Sequence, residues 1–265
     1  MYSSIMLYTF DTENFSGQVQ SNRRIKYKTK VMQKLSKATA LLVLSIALIC
    51  TAGCKKHNAG NGTYKGHDYI DLGLPSGTMW ATCNVGAESP DQYGEYFAWG
   101  ETAPKDTYNW STYKYCKGDY NQLTKYCSQS DFGFNGFTDD LVTLQPNDDA
   151  ATVNWGEGWS TPTYNQWVEL LTKCSHSWTT INEVKGCLFT ARNGNSIFLP
   201  AGDSRYDEES RITGDEGSYW SSTLHQYLPD GVKGFRFIIS FEDCDLYDTF
   251  SRAYGRPVRA VCSSR

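Results

Sequence analysis

The chain has 265 residues, a formal net charge of −4 at pH 7 and an aromatic content of 14%. Residues 1–53 contain seven basic and two acidic residues, so the remainder holds 18 basic and 27 acidic residues and a net charge of −9. Because so acidic a chain repels phosphate backbones, nucleic acid is excluded as an expected partner.

The segment 32–53 has the features of an export signal. Lys34 and Lys37 precede an apolar run at 38–49 that is too short to span a bilayer, and small residues lead from it to Cys54. The end of this segment resembles a bacterial lipobox, which implies that Cys54 is lipidated. We therefore expect an exported protein, anchored to the cell envelope at the outer membrane through an N-terminal lipid. An ordinary signal peptide and a weak membrane anchor are the alternatives.

This signal also predicts the organisation of the chain. Since export signals begin at the N-terminus, translation is expected to start at Met32, which makes residues 1–31 a mis-called extension. The polar, glycine-rich segment 54–66 predicts a tether. Residues 67–265 are long enough to bury a core of their own and are expected to form one domain.

Short β-like runs dominate the predicted domain. They lie at 67–72, 79–84, 196–200, 219–223, 234–241 and 256–261. The regular helices that connect the strands of a parallel α/β sheet are missing from the pattern. The sequence therefore predicts an α+β fold built on antiparallel strands.

The strongest helix signal lies in the stretch GWSTPTYNQWVELL at 158–171. Thr163 and Gln166 have the spacing of a capping box, and an apolar stripe follows at Tyr164, Trp167, Val168 and Leu171. A second, short helix is predicted to start at 148–151, with Asn147 or Asp148 as its cap.

Seven cysteines remain after Cys54, and no two of them have the CxxC spacing of a zinc or thioredoxin-type site. The best local disulfide candidate is Cys116 with Cys127, because a Gly-Asp turn lies between them. Buried free thiols are the alternative, since cysteine packs well as a small apolar residue.

Several stretches resemble known families. The stretch GWSTPTYNQWVEL resembles an element of formylglycine-generating-enzyme-like domains and of the Fibrobacter succinogenes major paralogous domain family. DQYGEYFAWGET at 91–102, LPSGTMWATCNVG at 74–86, YWSST at 219–223 and GRPVRAV at 255–261 follow the order of the latter. The set also resembles gut Bacteroidetes lipoproteins. The resemblance covers about 64–261 and implies a C-type-lectin-like fold: a twisted antiparallel sheet, about two helices and long irregular loops.

The catalytic features of the resembled enzymes are not carried over. Those enzymes bind copper through a C-terminal cysteine pair near an RGGSW element, which this sequence lacks, and Cys244 and Cys262 lie 18 positions apart. The segment 145–148 resembles the calcium-dependent sugar motif of C-type lectins, which makes Asp148 and Asp149 weak candidates for Ca²⁺ ligands. The helix-cap interpretation of these residues is favoured. We therefore expect no catalytic residues and no cofactor, with Ca²⁺ as the one candidate.

These observations favour a non-catalytic, lipid-anchored module of the cell envelope that binds a glycan or a protein, or that has a structural role. One alternative is a formylglycine-generating-enzyme-like oxidoreductase or a divergent hydrolase, whose two thiols or two acids would have to meet in an open cleft. A subunit of a surface fibre is the other alternative.

Overall fold

The structure is a computed structural model that describes residues 61–210, 212–225, 227–228, 231–238 and 243–263, with side chains for all of these except 210 and 243–249. The predicted extension at 1–31, the signal at 32–53, the lipidation site Cys54 and the start of the tether lie outside the described residues. Within them, no helix is both long enough and apolar enough to cross a membrane.

The described residues form an α+β fold of antiparallel sheets, two α-helices and long irregular loops, as expected. The strands are β1 (Gly62–Tyr64), β2 (His67–Asp71), β3 (Thr78–Ala81), β4 (Trp159–Ser160), β5 (Ser175–Ile181), β6 (Val184–Thr190), β7 (Ser196–Pro200), β8 (Arg205–Tyr206), β9 (Glu209–Ser210), β10 (Glu216–Leu224), β11 (Gly231–Ile238), β12 (Asp243–Ser251) and β13 (Val261–Ser263). The helices are α1 (Ala150–Trp155) and α2 (Tyr164–Lys173).

A five-stranded sheet in the order β1-β2-β3-β13-β4 joins the start of the domain to its end. Strands β1 and β2 form a hairpin whose two turn residues, Lys65 and Gly66, both have positive φ, as a tight hairpin turn of this kind requires. The predicted tether boundary is therefore wrong, because residues 62–64 already pair with β2. The alternation of side chains in this three-residue strand is too short to be distinguished from a linker by sequence.

Three further sheets complete the domain. Strands β5-β6-β7 and β10-β11-β12 form three-stranded sheets, and β8 pairs with β9. The predicted runs at 196–200 and 219–223 lie within β7 and β10. The run at 256–261 is wrong as a strand, because β13 begins only at Val261. The hairpin β5–β6 was missed because its exposed face is rich in Ser, Thr and Lys and hides the apolar alternation.

Both helices begin at side-chain caps. Helix α2 carries the predicted capping box: the Thr163 hydroxyl accepts from the Gln166 backbone N–H, and the Gln166 side chain accepts from the Thr163 backbone N–H. Helix α1 is capped by Asp149 and not by Asn147 or Asp148 as predicted, because a 3₁₀ turn at Pro146–Asp148 delays its start. The buried residues of α2 are Trp167 and Leu170, so its apolar stripe is rotated from the predicted one.

The core has two parts, which meet the two faces of the five-stranded sheet. On one face, Met79 and Trp159 pack into the first cluster. On the other, Trp80 packs into the second cluster with Trp167 of α2, whose ring stacks on Phe235 of β11 at 4.7 Å between centroids. The dense aromatic content of the chain is therefore used largely inside the domain.

Candidate binding cleft

A cleft of about 680 Å³ opens along the first face of the five-stranded sheet, beside the β1–β2 hairpin. Its floor and walls include Tyr64, Lys65, Tyr69, Met79, Glu157 and Cys262. This volume lies within the range of clefts that hold small ligands.

The register of the sheet places the floor residues on one side. Tyr64 lies opposite His67 in the β1–β2 pair, Asp71 lies opposite Met79 in the β2–β3 pair, and Met79 lies opposite Cys262 in the β3–β13 pair. Because alternate residues of a strand point to the same face, Tyr64, Tyr69, Met79 and Cys262 form one surface. The floor is therefore aromatic and apolar.

The loop after α1 forms the opposite wall, and Tyr64 fixes it to the hairpin. The Tyr64 hydroxyl donates to the backbone carbonyl of Glu157 at 3.0 Å, and the Trp159 indole N–H donates to the Tyr64 carbonyl at 3.2 Å. Gly158 has φ of 96°, and a Cβ there would lie 2.5 Å from the Tyr64 hydroxyl. Only glycine therefore allows this close approach of hairpin and loop.

Several polar groups of the cleft make no hydrogen bond or ion pair with described residues, although the Lys65 ammonium lies over the Tyr64 ring, 5.8 Å from its centroid. The Glu157 carboxylate, the Lys65 ammonium, the Tyr69 hydroxyl and the Ser263 hydroxyl have no hydrogen bond or ion pair with any described residue. Thr63 differs, because its hydroxyl donates to Asp68 at 2.6 Å. The cleft thus offers two hydroxyls that can each donate or accept a hydrogen bond, one cation and one carboxylate, all beside aromatic rings.

The charged groups of this cleft can be compared with those that glycosidases and Ca²⁺ sites use. Glu157 is the one carboxylate among the described residues that line the cleft, whereas glycoside hydrolysis uses a pair. A Ca²⁺ ion takes six to eight oxygen ligands, which a single carboxylate does not supply. Throughout the described residues, no group of three or more His, Cys, Asp or Glu side chains is placed to hold a metal ion.

The calcium candidates Asp148 and Asp149 lie away from this cleft and bind protein donors. Asp148 accepts from the hydroxyls of Tyr115 and Tyr126 at 2.5 and 2.7 Å and from Lys125 at 2.5 Å. Burial alone would raise the pKa of Asp148, but these hydrogen bonds together hold it below its ordinary value. This carboxylate serves as the centre of a buried network.

Asp149 has a structural role as well. Its oxygens accept from the backbone N–H groups of Ala151 and Thr152, and from the backbone N–H and hydroxyl of Thr161. Burial raises the pKa of this carboxyl. Asp149 thereby joins the start of α1 to the segment that leads into α2.

The predicted disulfide between Cys116 and Cys127 is wrong in this structure, because both thiols are free. Leu123, and not Cys127, lies opposite Cys116 in the short antiparallel ladder, and Tyr126 at positive φ redirects the chain before Cys127. The Cys116 thiol donates to the Trp110 carbonyl at 3.0 Å, and the Cys127 thiol donates to the Gln129 carbonyl at 3.1 Å.

Burial shifts the pKa of four described thiols in the direction that favours the protonated form. Burial raises the pKa of Cys83, Cys116 and Cys127, and it raises the pKa of Cys174 to about 11. Cys244 lies on β12 and Cys262 on β13, which belong to different sheets. Reactive and metal-binding cysteines have lowered pKa values, so the raised values are those of packing residues.

Sequence reasoning missed the cleft residues. The stretch TYKGHDY at 63–69 carries a hairpin signal, with a glycine between two alternating polar and aromatic runs, and it could have been found. Glu157 carries no such signal, because its place opposite the hairpin depends on the path of the whole sheet. Comparisons with protein-family models, curated proteins and solved structures gave no match.

Proposed function

We propose that this protein is a non-catalytic, lipid-anchored binding module of the cell envelope, and that its cleft binds a short segment of a neutral glycan. The observation that carries the proposal is a set of polar groups without hydrogen-bond or ion-pair partners among the described residues, on Glu157, Lys65, Tyr69 and Ser263, beside the rings of Tyr64 and Tyr69.

The chemistry of sugars matches this set. Sugar rings present apolar C–H faces that pack on aromatic rings, while their hydroxyls both donate and accept hydrogen bonds. Glu157 can accept from hydroxyls, Lys65 can donate to them, and the hydroxyls of Tyr69 and Ser263 can do both. The net charge of −9 outside residues 1–53 disfavours sulfated or uronic glycans.

A non-catalytic role is supported by the state of the ionisable groups. Burial raises the pKa of the thiols of Cys116 and Cys127, and Glu157 is the one carboxylate among the described residues that line the cleft. The lipid anchor rests on the signal and on Cys54, and export through that route would place the domain at the envelope.

Glycan binding is tested by affinity electrophoresis of the mature chain in gels that contain neutral or acidic polysaccharides, after a glycan array has selected the sugars. Glu157→Gln and Tyr69→Phe each remove one polar function and keep the shape, so we expect retardation by the neutral polysaccharide to fall about tenfold. Glu208→Gln, an exposed acid outside the cleft, is the matched control.

Equal retardation of wild type and Glu157→Gln would refute the assignment of the cleft. Excess EDTA should leave binding unchanged, because one carboxylate does not form a Ca²⁺ site.

The anchor is tested separately by labelling cells with palmitate: label should enter the wild-type chain, and Cys54→Ser should abolish it. Globomycin should then leave the signal uncleaved, and a cleaved, unlabelled wild-type chain would contradict the anchor.

A further inference from the structure

Exposed apolar side chains are concentrated in one group of loops, away from the cleft residues. Of eight large hydrophobic residues that are exposed in the described part of the chain, six lie in the segments 116–144 and 225–228. These six form what we call the loop surface: Tyr120, Phe134, Phe137, Val142, Tyr227 and Leu228. Single exposed apolar residues are normal, but a concentration of this kind marks a surface that is covered by something else.

Hydrogen bonds hold these segments side by side. The Leu123 N–H donates to the Phe132 carbonyl and the Phe134 N–H donates to the Leu123 carbonyl, both at 2.8 Å. The Gln129 amide donates to the Tyr227 carbonyl at 3.1 Å, and the Leu224 N–H donates to the Val142 carbonyl at 2.9 Å. The six exposed residues therefore lie on neighbouring segments of one surface.

The turns fix the exposed rings in place. A Cβ on Gly133 would lie 1.8 Å from the Phe137 carbonyl oxygen, so the chain closes on itself there as only glycine allows. The Asp139 carboxylate accepts from the backbone N–H groups of Tyr126 and Cys127 at 2.7 and 2.9 Å. A surface that is ordered before binding loses less conformational entropy when its partner docks.

The exposed charged side chains of the segment that supplies most of these apolar residues are mainly acidic. The exposed charged residues of the segment 116–144 are one base, Lys117, and three acids, Asp119, Asp131 and Asp140. Lys125 adds no free charge, because its ammonium lies 2.5 Å from Asp148. The rim of the loop surface is therefore net negative.

We propose that the loop surface docks a protein partner that presents apolar side chains within a rim of Lys and Arg. An apolar centre with a charged rim is the usual anatomy of a protein interface, and opposite charge at the rim favours encounter. A second copy of this chain would bring two acidic rims together. Anionic lipid surfaces attract basic segments instead.

The partner is sought by site-specific photo-crosslinking in intact cells. Tyr227 is replaced by the photo-crosslinker benzoylphenylalanine in the full chain, and the same replacement of Val153 on α1 is the matched control, because both side chains are at least half exposed. We expect a protein adduct from position 227 that is absent from position 153. The adduct is identified by mass spectrometry, and the partner is then purified for binding measurements.

The binding measurements decide between occupants. Phe134→Ser should weaken the affinity for the purified partner at least tenfold, as for a buried aromatic anchor. Asp131→Asn with Asp140→Asn should weaken it several-fold and reduce its salt dependence, whereas Glu208→Gln should not change it. Circular dichroism of Phe134→Ser checks that the fold is kept.

Four outcomes would overturn the proposal. Two concern the crosslinking: no protein adduct from position 227, or an adduct between two copies of the chain. Two concern binding: a partner whose affinity is unchanged by both sets of variants, or polysaccharide or vesicle binding that Phe134→Ser abolishes. Because the cleft variants Glu157→Gln and Tyr69→Phe leave this surface intact, failure of the glycan proposal and failure of this one give different results.

Discussion

Arg259 is buried without a carboxylate partner, and its replacement should destabilise the domain strongly. The side chain is fully buried and its guanidinium donates to four acceptors: the Asn84 side-chain oxygen at 2.8 Å and the carbonyls of Ala81, Thr82 and Phe198 at 3.1, 3.0 and 2.9 Å. Burial lowers the pKa of this guanidinium, and arginine side chains keep their charge in proteins. It joins the end of β3 to β7 across the middle of the fold.

The cost of Arg259→Met follows from these contacts. Each buried acceptor left without a donor costs about 1–3 kcal/mol. Removal of the buried cation recovers part of a desolvation penalty of several kcal/mol, so we expect a net loss of about 3–5 kcal/mol in the free energy of unfolding. For a chain of this size that corresponds to a decrease in melting temperature of roughly 6–20 °C.

The measurement is urea denaturation followed by tryptophan fluorescence, with Arg192→Met as the matched control because Arg192 is exposed. The control should change the free energy of unfolding by less than about 0.5 kcal/mol. Arg259→Lys should lie between wild type and Arg259→Met, since an ammonium keeps the charge but has three donors without the planar reach of a guanidinium. A loss below about 1 kcal/mol for Arg259→Met would refute the reasoning.

Three further predictions follow from the described contacts. Thr163→Ala removes the capping box of α2 and should lower the free energy of unfolding by about 1–2 kcal/mol in urea denaturation; Thr172→Ala, in the same helix, should change it little, and equal effects would contradict the cap. Because hydrogen bonds hold the pKa of Asp148 below its ordinary value, the stability it contributes is present above about pH 4 and is lost as the pH falls through the lowered pKa. The urea midpoint of wild type should therefore fall more steeply between about pH 5 and pH 3 than that of Asp148→Asn, and parallel curves would disprove the role of this carboxylate. Peptide mapping without reduction should recover Cys116 and Cys127 in separate alkylated peptides, and recovery of a disulfide-linked pair would contradict the free thiols.

Local signals were predicted well where a few neighbouring residues decide the conformation. The capping box at Thr163 and Gln166 was predictable because its atoms lie within one helical turn. The rotation of the apolar stripe toward Leu170 was not, because it depends on where Phe235 and the sheet of β10, β11 and β12 lie against the helix. The strand predicted at 196–200 is confirmed, whereas the one predicted at 256–261 is misplaced. Where β13 begins depends, like the rotation of the stripe, on contacts with segments distant in the sequence.

Tertiary structure also reassigned the residues that had looked functional. The carboxylates of Asp148 and Asp149 were candidate ligands in the sequence, but in the fold they accept from hydroxyl, ammonium and backbone donors that come from distant segments. Glu157 gave no signal and became part of the cleft wall, because the loop after α1 returns beside the β1–β2 hairpin.

The sequence by itself determined the acidic charge, the α+β class and the start of the main helix, since each depends on composition or on residues close together in the chain. Only the tertiary structure decided that Arg259 lies inside the domain, that Cys116 and Cys127 stay apart, and that six exposed apolar residues meet on one group of loops. Those outcomes depend on how segments far apart in the sequence pack against one another, and no local stretch of the sequence specifies that packing.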